Sequence, residues 1–464
     1  MEINDHTHID TQIHHDDINN FDDHHDNKLT LSIEKYEKMV NVEYEIKRDN
    51  HNILNYIYDM ATEYIEDNIL HMSSENFEEV FHENLHNLLF STIENSYNVD
   101  EELYEYLMMP EIIINRAINL IYNKYIPKRH YNTTFIRNNT EHNIERLTDK
   151  INFVQTCIQP DQRTKEWYEF RHGIITASSA WKAFDTQSLY NSLVYEKCCP
   201  CKSPDASQTV YINTETTLHW GQKYEPLSTM LYEHIYNTQI GEFGCIRHHN
   251  YSFIGASPDG INIKLGNPRY GRMLEIKNIV NREIKQNPKK EYWIQMQLQM
   301  EVCNLNECDF LETRFKEYDS LEEYINDGNG EYTSNGNYKG KMLLFYNNNK
   351  PVYEYYCKEI HHDYNEWESD QFNKHQDLLF MKTIYWKVDE ISCILVLRNK
   401  QWFSSALHIL ENMWTIIKDE RVNGYEHRAP KRRPRKNSIS TENKCHITLS
   451  DSAKNNITND GNSF

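Results

Sequence analysis

The sequence predicts an α/β or α+β fold with an all-helical segment in front of it, and three observations carry that expectation. From about 30 to 125, apolar residues recur at helical spacing, as in Ile53, Ile57, Met60, Ala61 and Tyr64 and again in Leu85, Leu88, Leu89 and Ile93. Around 151 the texture changes to short β-type runs, glycine turns and helical stretches in alternation. After a Gly/Asn-rich interruption at 326–340, strands are expected at Lys341–Tyr346, at Val352–Tyr356 and around Trp386, Val388, Ile394 and Val396, followed by an amphipathic helix over Trp402–Ile417.

Taken in order, residues 1–28 are mostly Asn, Asp, His and Ile without a period, the composition of a disordered tail; their histidines are metal-chelating in type. Residues 29–150 read as a helical accessory domain, with Ser73, Ser74 and Glu75 as a cap, Pro110 as a break and a polar linker at 132–143. Residues 151–320 form the central domain and 321–422 its extension in strands and a helix. Residues 423–464 are a second tail, and its HRAPKRRPRK cluster suits a phosphate contact, a nuclear address or a solvated charge run equally.

Composition narrows the function classes. No stretch approaches the ~18 to 20 apolar residues of a membrane span, and the N-terminus is acidic instead of basic and then apolar, so neither a membrane partner nor secretion is expected. Ten cysteines, single apart from Cys198, Cys199 and Cys201, make no disulfide framework and fit an intracellular, reducing compartment. The Cys198, Cys199 and Cys201 group has no convincing fourth ligand nearby, so free thiols are expected over zinc or an iron–sulfur cluster. A formal charge of -21 repels polyanions, so any nucleic-acid contact has to be local.

The chemistry concentrates between 163 and 302. GASPDGINI at 255–263 and MLEIKNI at 273–279 are two β-rich runs separated by turn residues, which predicts a hairpin. Side chains alternate along a strand, so Glu275 and Lys277 face one side while Ile276 packs behind them, and Asp259 reaches the same side from the start of the hairpin. Phosphodiester cleavage needs an activated water and neutralisation of phosphate charge, and clustered carboxylates holding one or two Mg²⁺ supply both. Asp259 and Glu275 suit that ligation, with the Ile276 carbonyl as an extra oxygen donor. Lys277 suits orienting or deprotonating the water, or stabilising the transition state. In isolation, an ion pair on an exposed strand is the favoured explanation of Glu275 and Lys277.

Their surroundings weigh against that plainer explanation. In WGQKYEPLSTMLYEHIYN at 220–237, Pro226 suggests a first helical turn and puts Glu225 at the helix start. Arg171 and Ser178 flank a turn at Gly173 and suit phosphate oxygens. In EYWIQMQLQMEV at 291–302, Tyr292, Gln295 and Gln299 form one helical stripe, unusual in a core and suited to holding a water or phosphate.

These elements occur in an order: Arg163 or Arg171 with Thr176, Ala177 and Ser178; Trp220, Gly221 and Glu225; Ser257 to Gly260; Glu275 to Lys277; then Tyr292, Trp293, Gln295 and Gln297. The set resembles the YqaJ viral recombinase and lambda exonuclease group of the PD-(D/E)XK nucleases. That resemblance implies a restriction-endonuclease-like core with a central mixed sheet flanked by helices. It also implies Mg²⁺-dependent hydrolysis, with Mn²⁺ as a substitute, of double-stranded DNA with free ends, typically 5′ to 3′, in viral-type recombination, repair or replication. Glu225, Asp259 and Glu275 would bind metal, Lys277 would serve catalysis and Gln295 would support the attacking water. Arg171, Ser178 and Ser257 would hold phosphate. A single-strand annealing protein and a homo-oligomer are the partners it suggests. Two departures stand out: His249 lies where some members carry a further acidic residue, and Asn278 and Ile279 follow the lysine where members often have Cys-Pro. A structure-specific endonuclease of the same fold and a non-catalytic DNA-end-binding scaffold are the alternatives.

Overall fold

The computed structural model describes residues 54–97, 109–134, 141–201, 213–214, 216–330, 332–358, 360–361 and 363–430. The N-terminal tail and the basic residues after Pro430 lie outside the described residues, as do residues 135–140 of the expected linker.

The chain is a mixed α/β structure built on two sheets. The large one runs β10-β9-β11-β8-β7-β6-β3, where β3 is Ile240–Gly241, β6 is Gly260–Asn262, β7 is Met273–Asn278, β8 is Glu307–Glu317, β9 is Lys339–Asn347, β10 is Lys350–Cys357 and β11 is Leu379–Leu397. A short strand β1, Tyr131–Asn132, adds to β11. Among the described residues, only β7 and β8 pair in parallel in this sheet, joined through the helix Lys290–Cys303, so the sheet is mixed as expected. The small sheet orders β2-β5-β4, from Ile175–Thr176, Ile254–Ala256 and Ile246–Arg247.

The expected hairpin is therefore divided. β6 pairs with β7 through Gly260↔Leu274 and Ile261↔Met273, but the residues before Asp259 belong to β5 of the other sheet. Asp259 sits where the chain crosses between them. A Cβ at position 260 would stand 2.1 Å from Ile240 Cγ2, so only glycine lets β6 close on β3 at this crossing.

The strands expected at 341–346 and 352–356 are β9 and β10, and the two β-type patterns after 386 are parts of one 19-residue strand, β11. The amphipathic helix runs over Lys400–Asn423, capped by Asn399, whose side chain accepts from Trp402 N. Pro110 stands in the first turn of the helix Met109–Lys124, where its missing N–H is harmless.

Helices from both ends of the chain pack on a shared core. One hydrophobic cluster joins Ile57, Ala61, Phe81 and Ile121 of the N-terminal helices to Trp293, Met296 and Met300 and to Trp402, Leu410 and Ile417. Arg129, 1% exposed, pins this junction: its guanidinium donates to Met72 O at 2.8 Å and Pro288 O at 2.5 Å, and Trp293 Nε1 donates to Arg129 O at 3.1 Å. The helix Glu141–Thr156 crosses the expected boundary at 150. Among the described residues no helix is long and apolar enough to cross a membrane. The cysteines from Cys157 to Cys393 are all free thiols.

Candidate active site

Strand alternation places the central side chains as the sequence predicts. Ile276 packs in a cluster with Tyr232, Leu274 and Leu311 on one face of β7, and Glu275 and Lys277 turn to the other. Glu275 is fully buried and Lys277 Nζ donates to its Oε1. The glutamine stripe of Lys290–Cys303 closes over the same carboxylate: Gln295 Nε2 donates to Oε1 at 2.8 Å and Gln299 Nε2 to Oε2 at 2.7 Å. Gln299 Nε2 also reaches Ser257 O at 3.0 Å, which is how Ser257 joins the site. Tyr292 lies under Lys277, with Nζ 5.2 Å from the ring centroid. Gln297 points elsewhere, donating to Leu397 O and accepting from Asn399 N, and so ties the helix to the end of β11.

Asp259 comes to the site through an unpaired strand edge. β6 pairs with β7 only as far as Leu274, and beyond it Ile276 N donates to Asp259 Oδ2 at 2.7 Å. The N–H and C=O of one strand residue leave by the same edge, so the Ile276 carbonyl is directed to the Asp259 side.

Glu225 arrives from the helix Thr217–Tyr236, and here the sequence expectation needs correcting. The helix starts nine residues before Pro226, capped by Thr216, so Glu225 lies in its interior and Pro226 interrupts the hydrogen-bond ladder without ending it. The reason is tertiary: Tyr224, Leu227 and Leu231 are fully buried in a cluster with Phe315 and Trp386, and that burial holds the helix through the proline. Asn278, where the resemblance expected Cys-Pro, fastens this helix to β7. Its Nδ2 donates to Gly221 O at 2.9 Å and its Oδ1 accepts from Ser228 Oγ and Thr313 Oγ1, each at 2.7 Å.

The electrostatics are those of crowded acids. Burial, then the Glu275 charge, push the Asp259 carboxyl well above the usual carboxylate range, while Lys277 and the Ile276 N–H pull the other way. Glu225 keeps an open face to solvent, yet enough protein surrounds it that lost hydration, followed by repulsion from Glu275, raises its carboxyl too. For Lys277 burial lowers the ammonium pKa, and the charges of Glu275 and Asp259 outweigh it, so the net shift is upward. The buried Gln299 Oε1 has no hydrogen-bond partner.

Surplus carboxylates and an unpaired carboxamide oxygen suit a hard divalent cation and its water in kind. Among the described residues, no three His, Cys, Asp or Glu side chains stand gathered as a ready-made metal cage. Glu225, Asp259, Glu275 and the Ile276 carbonyl are the oxygens that could hold such an ion.

Other expected residues fall differently. Ser178 is exposed on the short helix Ala177–Ala180. The Arg171 guanidinium stacks on Trp167, 4.6 Å from the ring, and its charge acts on Lys197. It is Arg163, held at φ 66, whose charge acts on Glu225. His249 stands edge-on to Phe153 at 5.6 Å. The acid that acts on Glu225 from this region is Glu242, beside β3. Sequence reading missed Glu242 because it is a loop residue delivered by the pairing of β3 with β6. It missed the clamp at Asn278 because its partners Gly221, Ser228 and Thr313 come from other elements that only the fold brings to the end of β7.

Residues 166–306 match the model of the YqaJ-like viral recombinase domain. An uncharacterized protein of Acanthamoeba polyphaga mimivirus is 27% identical over 314 residues, 60% of this chain and 56% of that protein, so the chain spans little more than half the length of the curated relative it matches. An alkaline exonuclease from Laribacter hongkongensis covers 56% of this chain and 95% of its own at 16% identity and a TM-score of 0.33. A second structure of that enzyme, in complex with dAMP, aligns at 17% identity and a TM-score of 0.32, and both are too distant to carry residue roles. Arg171, Ser178, Glu225, Asp259, Glu275, Lys277, Gln295 and Gln299 all lie between residues 166 and 306, the segment that matches the YqaJ-like viral recombinase domain.

Proposed function

We propose that the chain is a Mg²⁺-dependent deoxyribonuclease acting on duplex DNA ends, 5′ to 3′, in viral-type recombination. What supports this reading is Glu275 held by Lys277 at the open edge of β7, with Asp259 bonded to Ile276 N beside it and Glu225 near enough for the charges of Glu275 and Lys277 to act on it. One or two Mg²⁺, or Mn²⁺ in substitution, would be held by these carboxylates and the Ile276 carbonyl. When bound, such an ion supplies a water that is nucleophilic near neutral pH and neutralises charge on the phosphate.

The chain's own residues do the rest. Gln295 and Gln299 hold both oxygens of Glu275, so its orientation is set before substrate arrives. Lys277, charged beside Glu275, donates N–H bonds to a phosphate oxygen or to the attacking water. Gln295 orients that water through Glu275. Ser178, Ser257, Arg163 and Arg171 are the phosphate-holding groups, and Arg171 serves only by leaving Trp167. The resemblance adds a single-strand annealing protein and a homo-oligomer as partners.

The test is degradation of 5′-phosphorylated linear duplex with and without Mg²⁺, beside Lys277→Ala and Glu275→Gln. The proposal expects cutting by the wild type alone, with DNA binding kept by both variants. Equal cutting by all three defeats it. Cleavage of closed-circular DNA selects the endonuclease alternative, and binding without any cleavage selects the scaffold.

A further inference from the structure

A second group of charges stands where the chain leaves β7 and crosses to the helix Lys290–Cys303. Residues 279–290 hold four cations, Arg282, Lys285, Lys289 and Lys290, and one acid, the exposed Glu283. The whole chain has 49 Lys and Arg against 70 Asp and Glu, so this crossover reverses the protein's charge balance locally.

Arg282 is tied to the Lys277 side of the sheet. β7 and β8 pair in parallel with Lys277 opposite Glu312, so Glu312 shares that side, and Arg282 donates to its carboxylate. The Arg282 Cζ lies 5.5 Å from the Tyr292 ring centroid, the same ring that has Lys277 Nζ at 5.2 Å. Arg314 Nη1 donates to Arg282 O at 3.1 Å and fixes the backbone beneath it. Lys289 stands at the other end of the crossover, its carbonyl accepting from Tyr292 N at 3.1 Å. Its ammonium makes no hydrogen bond or ion pair among the described residues, and its charge acts on Glu312. Two cations therefore answer one buried acid.

Two arginines on this side are treated differently. Arg314 is closed by Asp389 and Glu390 together. Arg282 spends Nη2 on Glu312 and Nη1 on Glu283 O at 3.2 Å, while its Nε makes no hydrogen bond among the described residues and its side chain is 25% exposed. A guanidinium carries five N–H donors in one plane, so Arg282 keeps donors for an acceptor from outside, and phosphate is the planar fork's natural partner.

We propose that Arg282 and Lys289 contact the phosphate backbone of the DNA strand held at Lys277, with Glu312 and Tyr292 as positioning residues for Arg282. The inference rests on the nuclease reading in taking DNA as the partner, and it adds the strand's path: from Lys277 along the crossover toward the start of Lys290–Cys303.

The experiment is binding of 5′-phosphorylated linear duplex to the full chain by fluorescence anisotropy in EDTA, over a salt series. Arg282→Gln and Lys289→Gln should each weaken binding about five- to tenfold at roughly 0.1 M salt and lower the slope of log K against log salt by about one. A purely structural Arg282 would serve only to neutralise Glu312. Arg282→Gln is therefore repeated together with Glu312→Gln, which removes the stranded acid and restores the net charge; this double variant should still bind weakly with the lowered slope. Lys289→Gln gives up no bond within the protein and tests the surface even if the Arg282 variants do not fold. The proposal is overturned if the wild type binds no duplex, if the single variants keep the wild-type slope, or if the double variant regains wild-type binding. Wild-type cutting in Mg²⁺ with unchanged slopes defeats this inference alone, whereas lowered slopes without any cutting defeat the nuclease reading and leave this surface standing.

Discussion

Asp309 and Glu275 are both fully buried carboxylates on adjacent strands, and they are treated in opposite ways. Asp309, opposite Leu274 in the β7–β8 register, faces the helix Thr217–Tyr236. It accepts from Arg272 Nη1 at 3.0 Å, from Tyr232 OH at 2.6 Å and from Arg269. Two guanidiniums answer one acid, one of them shared with Glu307. Glu275, opposite Phe310, turns to the other face of the sheet and finds one ammonium, two neutral amides and two further acids. Asp309 is a finished joint; the Glu275 cluster carries more negative charge than the protein itself answers. A buried charge costs several kcal/mol unless compensated, so an excess of acid persists where something from outside completes it.

The sharpest way to break this comparison is to truncate each acid. Asp309→Ala leaves the buried Arg269 guanidinium without its acid and Arg272 with Glu307 alone, and should cost about 3–5 kcal/mol in denaturant unfolding, whatever the metal content. Glu275→Gln keeps one accepting oxygen, gives up one of the two amide contacts and relieves repulsion between the acids, so stability in EDTA should change by no more than about 1–2 kcal/mol while nuclease rate falls about 10²–10³-fold or more. If Glu275→Gln unfolds the protein and Asp309→Ala does not, the two roles are exchanged.

A pH profile sharpens the same contrast. The Asp259 carboxyl is raised in the folded state, so the folded form binds its proton more tightly than the unfolded chain. In EDTA its contribution is therefore fully present below the unfolded value of about 4 and is lost as pH rises through the higher folded value. Asp259→Asn should flatten that decline in a thermal-unfolding series; an identical slope in wild type and variant contradicts the crowding. A smaller effect belongs to the clamp. Asn278→Ala leaves Gly221, Ser228 and Thr313 without their shared partner and should cost about 1–3 kcal/mol, with a fall in nuclease rate beyond that stability loss because Glu225 shifts.

How much of this was legible in the sequence depended on whether a local rule governed the residue. The Glu275, Ile276 and Lys277 triplet was readable because alternation along a strand is strictly local, and the Tyr292, Gln295 and Gln299 stripe because helical spacing is too. Glu225 was found but its helix was started nine residues late, since Pro226 obeys a local rule that the burial of Tyr224 and Leu227 overrides. Arg171 and Arg163 are alike in sequence, and only the fold shows that the first stacks on Trp167 while the second acts on Glu225. Glu242 and the Asp309 joint depend on strand order, which no single segment encodes.

The most direct test of the unfinished acid cluster is Mg²⁺ binding by calorimetry on the full chain, without DNA. One or two Mg²⁺ should bind to the wild type, with that binding lost in Asp259→Asn and in Glu275→Gln and kept in Lys289→Gln. No binding to the wild type, or equal binding to all four proteins, would contradict it.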